Sequence, residues 1–380
     1  KKIRQANRGG IEQIVVTGCM STLAPQETAQ LPGVIKLIPN ENKDNLVPDL
    51  LGIEINQFDL EPISREPLPG TRLRTRAFIK VQDGCDNKCT FCVTTVARGE
   101  GRSRSIMDVV ADIRAAVKGG AQEAVLTGVH LGSWGYDFPQ PQHLRALIEK
   151  ILEVTEIPRL RISSLEPWDL DESFFDLWEN PRLCRHLHLP LQSGSAATLK
   201  RMARKTTPRK FARLVEAARK QIPQVAITTD IITGFPGETE GEFEETRKFV
   251  KEIDFAGAHI FTYSEREDTA AASMPGPVQH GVRKDRNAIL RELIDHASQA
   301  FQKQFVGQEM DVLWEGYTAH GDSEWQVTGL TDNYIRVQST SPQPIWNQIT
   351  PTQLTNSNPA GLMGRITRFP DTITIGGDYA

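Results

Sequence analysis

The chain has 380 residues with a formal net charge of −4, a hydrophobic content of 39% and a charged content of 24%. These values are typical of globular proteins with a substantial core and exclude disordered and fibrous classes. No apolar run approaches the roughly 18 residues that a membrane-spanning helix needs, and no signal peptide opens the chain, so we expect a cytoplasmic protein without a membrane partner. Five cysteines are too few for a disulfide scaffold.

The first 60 residues have the pattern of the last part of an α/β unit. Residues 1–8 read as the end of a helix, Gly9-Gly10 as its stop, and residues 11–17 as a buried strand. We therefore expect that the sequence begins inside a domain. Residues 61–73 hold three prolines and one glycine among charged residues, which is typical of a linker.

Strand and helix patterns alternate from residue 74 to 306. Apolar, β-rich runs occupy 76–82, 123–129, 159–165, 186–191, 225–232 and 256–264, and helical patterns occupy 106–117, 142–153, 171–179, 208–220, 239–253 and 284–305. Six strand–helix repeats predict an α/β fold with a parallel sheet, and six are too few to close an eight-stranded barrel. We predict an open, partial (β/α)6 barrel with its ligands at the carboxyl ends of the strands.

The pattern changes again over residues 307–380. Short alternating runs at 310–317, 324–330, 334–339 and 362–376 are punctuated by Gly, Asn and Pro. This predicts a small all-β barrel that follows the larger α/β unit.

Three of the five cysteines, Cys85, Cys89 and Cys92, lie together in a C-x3-C-x2-C spacing directly after the first strand of the partial barrel. Three thiolates on one short loop can hold three irons of a 4Fe–4S cluster and leave the fourth iron open for an external ligand. Two alternatives remain from the residues alone. One is a zinc site completed by His186 and His188, and the other is a set of plain buried thiols.

The cysteine spacing, with Phe91 between the second and third cysteine, resembles the radical S-adenosylmethionine (SAM) superfamily. The segments TGVHLGSWG (127–135), SSLEPWD (163–169), HLPLQSGS (188–195) and DIITGFPGET (230–239) resemble its methylthiotransferase branch, in particular the tRNA threonylcarbamoyladenosine methylthiotransferases. The resemblance implies that the open iron binds SAM and that one electron from the cluster cleaves it to a 5′-deoxyadenosyl radical. It also implies three domains: an N-terminal methylthiotransferase domain, the radical SAM barrel and an RNA-binding TRAM β-barrel.

The family's N-terminal domain carries a second 4Fe–4S cluster on three cysteines. Only Cys19 matches that pattern, so we expect two clusters, of which this sequence encodes one completely. Without the resemblance, Cys19 also reads as an ordinary small residue after a strand. Cys184 precedes a strand in apolar surroundings and is expected in the core.

The resemblance and the positions after the strands also imply the SAM contacts. Arg204 is assigned to the SAM carboxylate, with a solvated helix-start charge as the alternative. His130 is kept only as a weak candidate, because such a histidine is more often a satisfied polar residue. The predicted cofactor-binding residues are Phe91, Gly128, Ser164, Glu166, Gln192, Ser193, Arg204 and Gly234, and for Gly234 plain turn chemistry is the alternative.

The net charge of the chain gives no indication of nucleic-acid binding, but two local basic patches do. Residues 199–220 hold nine Lys or Arg, and residues 72–104 hold eight. Such density suits phosphate binding, although a solvated helix face is the alternative. The predicted RNA-binding residues are Lys200, Arg201, Lys205 and Arg209 in the first patch and Arg336 and Arg365 in the small barrel. Trp325 and Tyr334 of the small barrel are further candidates for stacking on RNA bases.

Together these features predict an enzyme that adds a 2-methylthio group to N6-threonylcarbamoyladenosine at tRNA position 37. The expected partners are a tRNA anticodon loop, an electron donor and a sulfur source, and we expect a monomer. The alternatives are a methylthiotransferase acting on isopentenyladenosine or on a ribosomal-protein aspartate, a radical SAM enzyme without sulfur insertion, and a non-enzymatic RNA-binding protein with a structural metal.

Overall fold

The computed structural model describes residues 2–52, 75–320, 324–358 and 360–369. The predicted linker, residues 61–73, lies outside these residues. Every helix in the described part is too short or too polar to span a bilayer.

The first described segment is a small α/β unit. Its elements are α1 (Lys2–Arg8), β1 (Ile14–Thr17), α2 (Cys19–Leu23), α3 (Pro25–Ala29), β2 (Val34–Ile38), a 3-10 helix (Asn40–Asn45) and α4 (Leu46–Leu51). β1 and β2 pair in parallel. The helix predicted at the start is confirmed. The strand predicted over residues 11–17 begins only at Ile14, and Val16 is its one buried residue, while Ile11 lies exposed before it.

The second segment contains the alternation of strands and helices. Its elements in chain order are β3 (Arg76–Lys80), β4 (Gln82–Asp83), α5 (Thr94–Arg98), β5 (Arg102–Ser103), α6 (Ile106–Lys118), β6 (Glu123–Thr127), α7 (Leu144–Val154), β7 (Arg159–Ile162), β8 (His186–His188), α8 (Ala196–Arg201), α9 (Pro208–Gln221), β9 (Ala226–Thr233), α10 (Glu240–Ile253), β10 (Gly257–Thr262) and α11 (His280–Lys303).

Six of these strands form the parallel wall of an open barrel. β3, β6 and β7 pair in parallel, as do β8, β9 and β10. The bridges Leu160–Leu183 and Ser164–His188 join the two halves. In the described part, β3 and β10 each pair with one neighbour, so they are the two edges of the predicted partial barrel.

The helices pack on the outer face of this wall for reasons visible in the sequence. The Ser105 hydroxyl accepts a hydrogen bond from the amide of Asp108 and caps α6, whose Val109 and Ile113 are fully buried. Thr239 and Glu242 form a capping box at the start of α10. The helix predicted at 171–179 is instead a 3-10 helix (Glu172–Glu179) that begins where Asp171 accepts a hydrogen bond from the Phe174 amide.

The last segment is a closed five-stranded barrel. Its strands are β11 (Glu309–His320), β12 (Glu324–Thr331), β13 (Arg336–Ser341), β14 (Ile349–Asn358) and β15 (Gly361–Ile366), in the order β11-β12-β13-β15-β14. β14 was not predicted, because two of its buried positions are Thr350 and Thr352 and the strand lacks an apolar alternation. The strand predicted at 362–376 ends at Ile366, and residues 370–376 lie outside the described part.

This small barrel docks at the amino ends of the parallel strands. Arg159, the first residue of β7, donates to the carbonyl oxygens of Leu330 (3.1 Å) and Asp311 (2.7 Å). Arg185, just before β8, forms an ion pair of 2.6 Å with Asp332. The small barrel therefore lies at the opposite end of the partial barrel from the cysteine loop, which follows the carboxyl end of β3.

Candidate functional site: a cysteine loop above the parallel strands

The cysteine loop starts at a glycine that no other residue can replace without a clash. Gly84 has φ +74°, and a Cβ at this position would lie 1.8 Å from the Glu100 carbonyl oxygen. The amide of Cys85 then donates to the Gly99 carbonyl oxygen at 3.1 Å. Backbone contacts between two loops thus hold the first cysteine at the carboxyl end of the sheet.

The sulfurs of Cys92 and Cys89 accept hydrogen bonds from the protein. The Thr94 amide donates to Cys92 Sγ at 3.4 Å, and Arg204 Nη1 donates to Cys89 Sγ at 3.7 Å. Burial raises the pKa of the Cys89 thiol, and the positive charge of Arg204 opposes that rise. Hydrogen bonds to the ligand sulfurs are typical of the protein surroundings of an iron–sulfur cluster.

The described residues contain no group of three or more His, Cys, Asp or Glu side chains that converges closely enough to hold a single metal ion. A cuboidal 4Fe–4S cluster takes each thiolate at a separate corner, so its cysteines need not converge on one point. The three free cysteines on one loop fit such a cluster.

Contacts at the centre of the loop fix it to α8 and to the segments that follow β9 and β10. The Thr90 hydroxyl donates to the Arg201 carbonyl oxygen at 2.8 Å, and the Thr90 carbonyl accepts from the Ala271 amide at 2.8 Å. Phe91 packs edge-on against Phe235, with ring centroids 6.4 Å apart. Phe91 therefore lies where the loop meets the segment after β9.

The buried Arg204 forms an ion pair with the partly exposed Glu166 beside Cys89. Their closest atoms are 2.6 Å apart, and Arg204 is only 8% exposed. The guanidinium also lies 4.4 Å from the centre of the Trp168 ring. Arg204 is thus not a solvated helix-start charge, and the structure brings two predicted cofactor residues together next to the cysteines.

Gln192 and Ser193 have different surroundings although they are adjacent. Gln192 has φ +76°, and its backbone bridges to β9, donating to the Asp230 carbonyl and accepting from the Ile232 amide. Ser193 is 0% exposed, and its hydroxyl lies 3.1 Å from that of Thr246 on α10. The structure therefore places Gln192 at the strand ends and does not bring the Ser193 hydroxyl to the site.

The two predicted glycines are positions of close packing. A Cβ on Gly128 would lie 3.2 Å from the Gln82 side chain, whose Oε1 accepts from the amides of Val129 and His130. Gly234 has φ +71°, and a Cβ there would lie 2.0 Å from the Arg283 side chain. Ser164, the remaining predicted contact, is exposed after β7.

Two further polar groups lie near the loop: His130, only a weak candidate from the sequence, and Asp230, which the sequence analysis does not single out. His130 Nε2 lies 2.6 Å from Asp169 Oδ2. Burial acts to lower the pKa of His130, but the Asp169 carboxylate and Cys85 outweigh burial and raise that pKa to about 9. On β9, Asp230 Oδ1 is buried and has no hydrogen-bond partner among the described residues. Neither environment can be read from the sequence, because each depends on how separate strands are aligned in the sheet.

Predicted RNA-binding residues have two kinds of environment. Arg201 is paired with Glu242 at 2.7 Å, so its charge is partly satisfied within the protein. Trp325 packs against the core of the small barrel, and Tyr334 stacks on His186. The exposed predicted residues are Lys200, Lys205, Arg209, Arg336 and Arg365.

Cys19 lies exposed at the start of α2. The Asn40 side-chain amide reaches both Cys19 Sγ, at 3.6 Å, and the carbonyl oxygen of Ala97 on α5, at 2.7 Å. Because α5 directly follows the cysteine triad, the N-terminal unit places Cys19 on the same side of the protein as the loop. Cys184 is buried, as expected.

Comparison with known proteins decides the family. The profile described as the Radical SAM superfamily matches residues 79–250. The threonylcarbamoyladenosine tRNA methylthiotransferase MtaB of Bacillus subtilis is 35% identical over 89% of this chain and 78% of its own length. The chain belongs to the radical SAM methylthiotransferase family. The MtaB protein of Thermotoga maritima is also 35% identical, over 88% of this chain and 77% of its own length.

The family includes a second kind of relative. A tRNA-2-methylthio-N(6)-dimethylallyladenosine synthase of Caldicellulosiruptor saccharolyticus is 36% identical, over 68% of this chain and 55% of its own length. Among solved structures, the radical SAM methyltransferase TsrM of Kitasatospora setae superimposes with a TM-score of 0.53 at 16% identity, over 68% of this chain and 57% of that chain. This likeness shows the radical SAM fold. As a radical SAM methylthiotransferase, the protein uses SAM and a 4Fe–4S cluster.

Proposed function

We propose that this protein is a tRNA methylthiotransferase that adds a 2-methylthio group to N6-threonylcarbamoyladenosine at position 37. The observation that carries the proposal is the similarity to two MtaB proteins along almost nine-tenths of the chain. A cysteine loop of the required spacing at the carboxyl ends of six parallel strands supports it.

The residues of the site have separable roles in this proposal. Cys85, Cys89 and Cys92 would hold the 4Fe–4S cluster, which would supply the electron for cleavage of the SAM sulfonium bond. Arg204 carries a fixed positive charge beside Cys89 and suits the carboxylate of the methionine moiety, while Glu166 holds the guanidinium in place. The Gln192 side chain and the unpaired oxygen of Asp230 would offer polar atoms to the ribose hydroxyls. Cys19 would be one ligand of an auxiliary cluster.

We further propose that the enzyme acts as a cytoplasmic monomer and depends on a separate electron donor and sulfur source. The exposed side chains of Lys200, Lys205 and Arg209 would contact phosphates of the anticodon arm. Arg336 and Arg365 on the small barrel would contact RNA at the other end of the protein. The proposed domain limits are 1–60, 74–306 and 307–380.

A second candidate substrate is dimethylallyladenosine, because a synthase for that product is 36% identical over 68% of the chain. The two adenosines differ at N6, where one substituent is a polar amino-acid conjugate and the other is a hydrocarbon. The choice between them is therefore made by the groups that surround N6.

The deciding experiment is a modification assay on defined tRNA. Anaerobically reconstituted protein is incubated with SAM, reductant and sulfide, and with tRNA carrying either threonylcarbamoyladenosine or dimethylallyladenosine. Nucleosides are then analysed by mass spectrometry. We expect only threonylcarbamoyladenosine to show the increase in mass that corresponds to replacement of a hydrogen by a methylthio group. We expect no product from a Cys85→Ala variant. If only the dimethylallyladenosine RNA is modified, the proposed substrate is wrong. If SAM is cleaved but neither RNA is modified, the proposed methylthiolation reaction is wrong.

A further inference from the structure

The buried side chain of Gln82 joins two loops at the carboxyl ends of the strands. Gln82 begins β4 and is only 1% exposed. Its Oε1 accepts hydrogen bonds from the amides of Val129 (3.0 Å) and His130 (2.8 Å), which follow β6. Its Nε2 donates to the carbonyl oxygens of Asp83 (3.0 Å) and Gly84 (2.9 Å), where the cysteine loop starts. The side chain thus links the cysteine loop to the loop after β6.

The amide of Gln82 uses its whole hydrogen-bonding capacity on backbone groups. A glutamine side chain offers two N–H donors and two acceptor lone pairs, and each of the four has a partner here. A glutamate at this position would keep the two acceptor contacts and lose both donors, and a hydrocarbon side chain would lose all four. Buried backbone groups without a partner are costly, so the position requires an amide rather than any side chain of similar size.

Gly128 leaves the space that this contact needs. A Cβ at position 128 would lie 3.2 Å from both Cβ and Oε1 of Gln82. These distances are shorter than ordinary contacts between carbon atoms. A side chain at position 128 would therefore push the Gln82 amide away from the backbone that it bonds. The predicted glycine and the buried glutamine thus belong to one packing arrangement.

The loop after β6 is itself fastened to a third strand end through His130. His130 Nε2 lies 2.6 Å from Asp169 Oδ2, and the two side chains are 8% and 9% exposed. Asp169 follows β7, in a short 3-10 helix (Pro167–Asp169). The His130 ring also lies 3.3 Å from Asn87 Nδ2, inside the cysteine loop. The loops that follow β3, β6 and β7 are therefore connected by one continuous set of contacts.

The cysteine loop is also closed at its base. Asp83 Oδ1 accepts hydrogen bonds from Arg98 Nη1 and from the Gly84 amide, each at 2.9 Å. Arg98 is the last residue of α5, which follows the third cysteine. Because the two ends of the loop are held together, a displacement of its base at Gln82 would move the three cysteines with it.

We propose that Gln82 is a positioning residue, which holds the cysteine loop and the His130–Asp169 pair in the arrangement that retains the iron–sulfur cluster. This role does not depend on the RNA substrate, because family membership supplies the cluster. Loss of a group that supports metal ligands commonly weakens metal binding about 10- to 100-fold. An effect in this range is expected here, since the contacts of Gln82 set the position of the loop that carries the ligands.

The test is the rate at which a chelator removes iron from the cluster. The anaerobically reconstituted full chain is mixed with bathophenanthroline disulfonate, and formation of the iron(II) complex is followed by absorbance. Gln82→Glu loses both donors, and we expect it to release iron at least about tenfold faster than wild type. Asp169→Asn keeps the shape of its side chain and removes the charge, and we expect faster release as well. It leaves β4 unchanged, so it tests the same contacts if Gln82→Glu does not fold.

The matched control is Asn333→Asp, which makes the same change from amide to carboxylate. Asn333 is also 1% exposed, and its side chain accepts from the Thr331 hydroxyl and donates to the Gln224 carbonyl oxygen, at the opposite end of the partial barrel. This variant should have a lower melting temperature and release iron at the wild-type rate. A double variant, Gln82→Glu/Asp169→Asn, should release iron no more than about twofold faster than the faster single variant, because both changes break one set of contacts.

The outcomes separate positioning from general stability. If Gln82→Glu releases iron as slowly as wild type, or Asn333→Asp releases it as fast as Gln82→Glu, Gln82 has no positioning role. If Asp169→Asn keeps the wild-type rate, or the two single effects multiply in the double variant, the connection through His130 is wrong. If wild type takes up no iron, the positioning role fails together with the cluster. Failure of the RNA modification assay alone would overturn the proposed function and not the role of Gln82.

Discussion

Replacing Glu123 with glutamine removes the carboxylate from a buried ion pair at the base of the partial barrel. Glu123 and Arg161 meet through two hydrogen bonds of 2.7 and 3.0 Å, and their side chains are 0% and 3% exposed. Arg161 also donates to the carbonyl oxygen of Asp332 in the small barrel at 2.9 Å. The substitution therefore removes the carboxylate that is directly paired with this buried guanidinium, and it weakens the contact between the two barrels.

The expected effect is large. Breaking one side of a buried ion pair costs about 3–5 kcal/mol. A loss of 1 kcal/mol lowers the melting temperature of a domain of this size by about 2–4 °C, so we expect a fall of roughly 6–20 °C. The lower end is favoured because the glutamine oxygen still accepts a hydrogen bond from Arg161. The assay is thermal unfolding followed by circular dichroism.

The matched control is Glu153→Gln. Glu153 pairs with Lys150 at 2.8 Å, but the two side chains are 66% and 46% exposed. An exposed pair contributes at most about 1 kcal/mol, so this variant should unfold within a few degrees of wild type. If Glu123→Gln shifts the melting temperature no more than Glu153→Gln does, burial is not what gives the inner pair its strength.

Three other outcomes are expected. Burial acts to raise the pKa of Glu123, but Arg161 outweighs burial and lowers it. The stabilisation by the pair is therefore complete above the unfolded pKa of about 4.3 and is lost as the pH falls through the folded pKa. Because Glu123→Gln lacks this carboxylate, acid unfolding of wild type should be steeper than that of the variant. Gly84→Ala should lower iron content after anaerobic reconstitution by displacing the loop from Glu100, and a full iron complement would contradict this. Thr239→Ala should cost about 1 kcal/mol of stability in chemical unfolding, since it removes the hydroxyl that caps the Glu242 amide; no change would mean that the capping box adds nothing.

The sequence was most informative where the chemistry is local. The cysteine spacing and the six strand–helix repeats depend on neighbouring residues, and all six strands begin within one residue of their predicted starts. β14 was not predicted from the sequence, because its buried residues include Thr350 and Thr352 and so do not form the alternating apolar pattern of a strand.

Pairings between distant positions were not predictable in the same way. Arg204 and Glu166 are 38 positions apart, and His130 and Asp169 are 39 apart. Their contacts are created by the parallel order of the strands, which aligns the carboxyl ends of segments far apart in the chain. The direction of the Ser193 hydroxyl depended likewise on where α10 packs.

The placement of the small barrel sets a minimum length for any RNA that touches both ends of the protein. β9 has eight residues, and a strand rises about 3.3 Å per residue, so the cysteines and the small barrel are separated by roughly 25 Å. Under the proposed function, an RNA that contacts both the cysteine loop and the small barrel has to span this distance, and a short oligonucleotide would contact only one of the two ends.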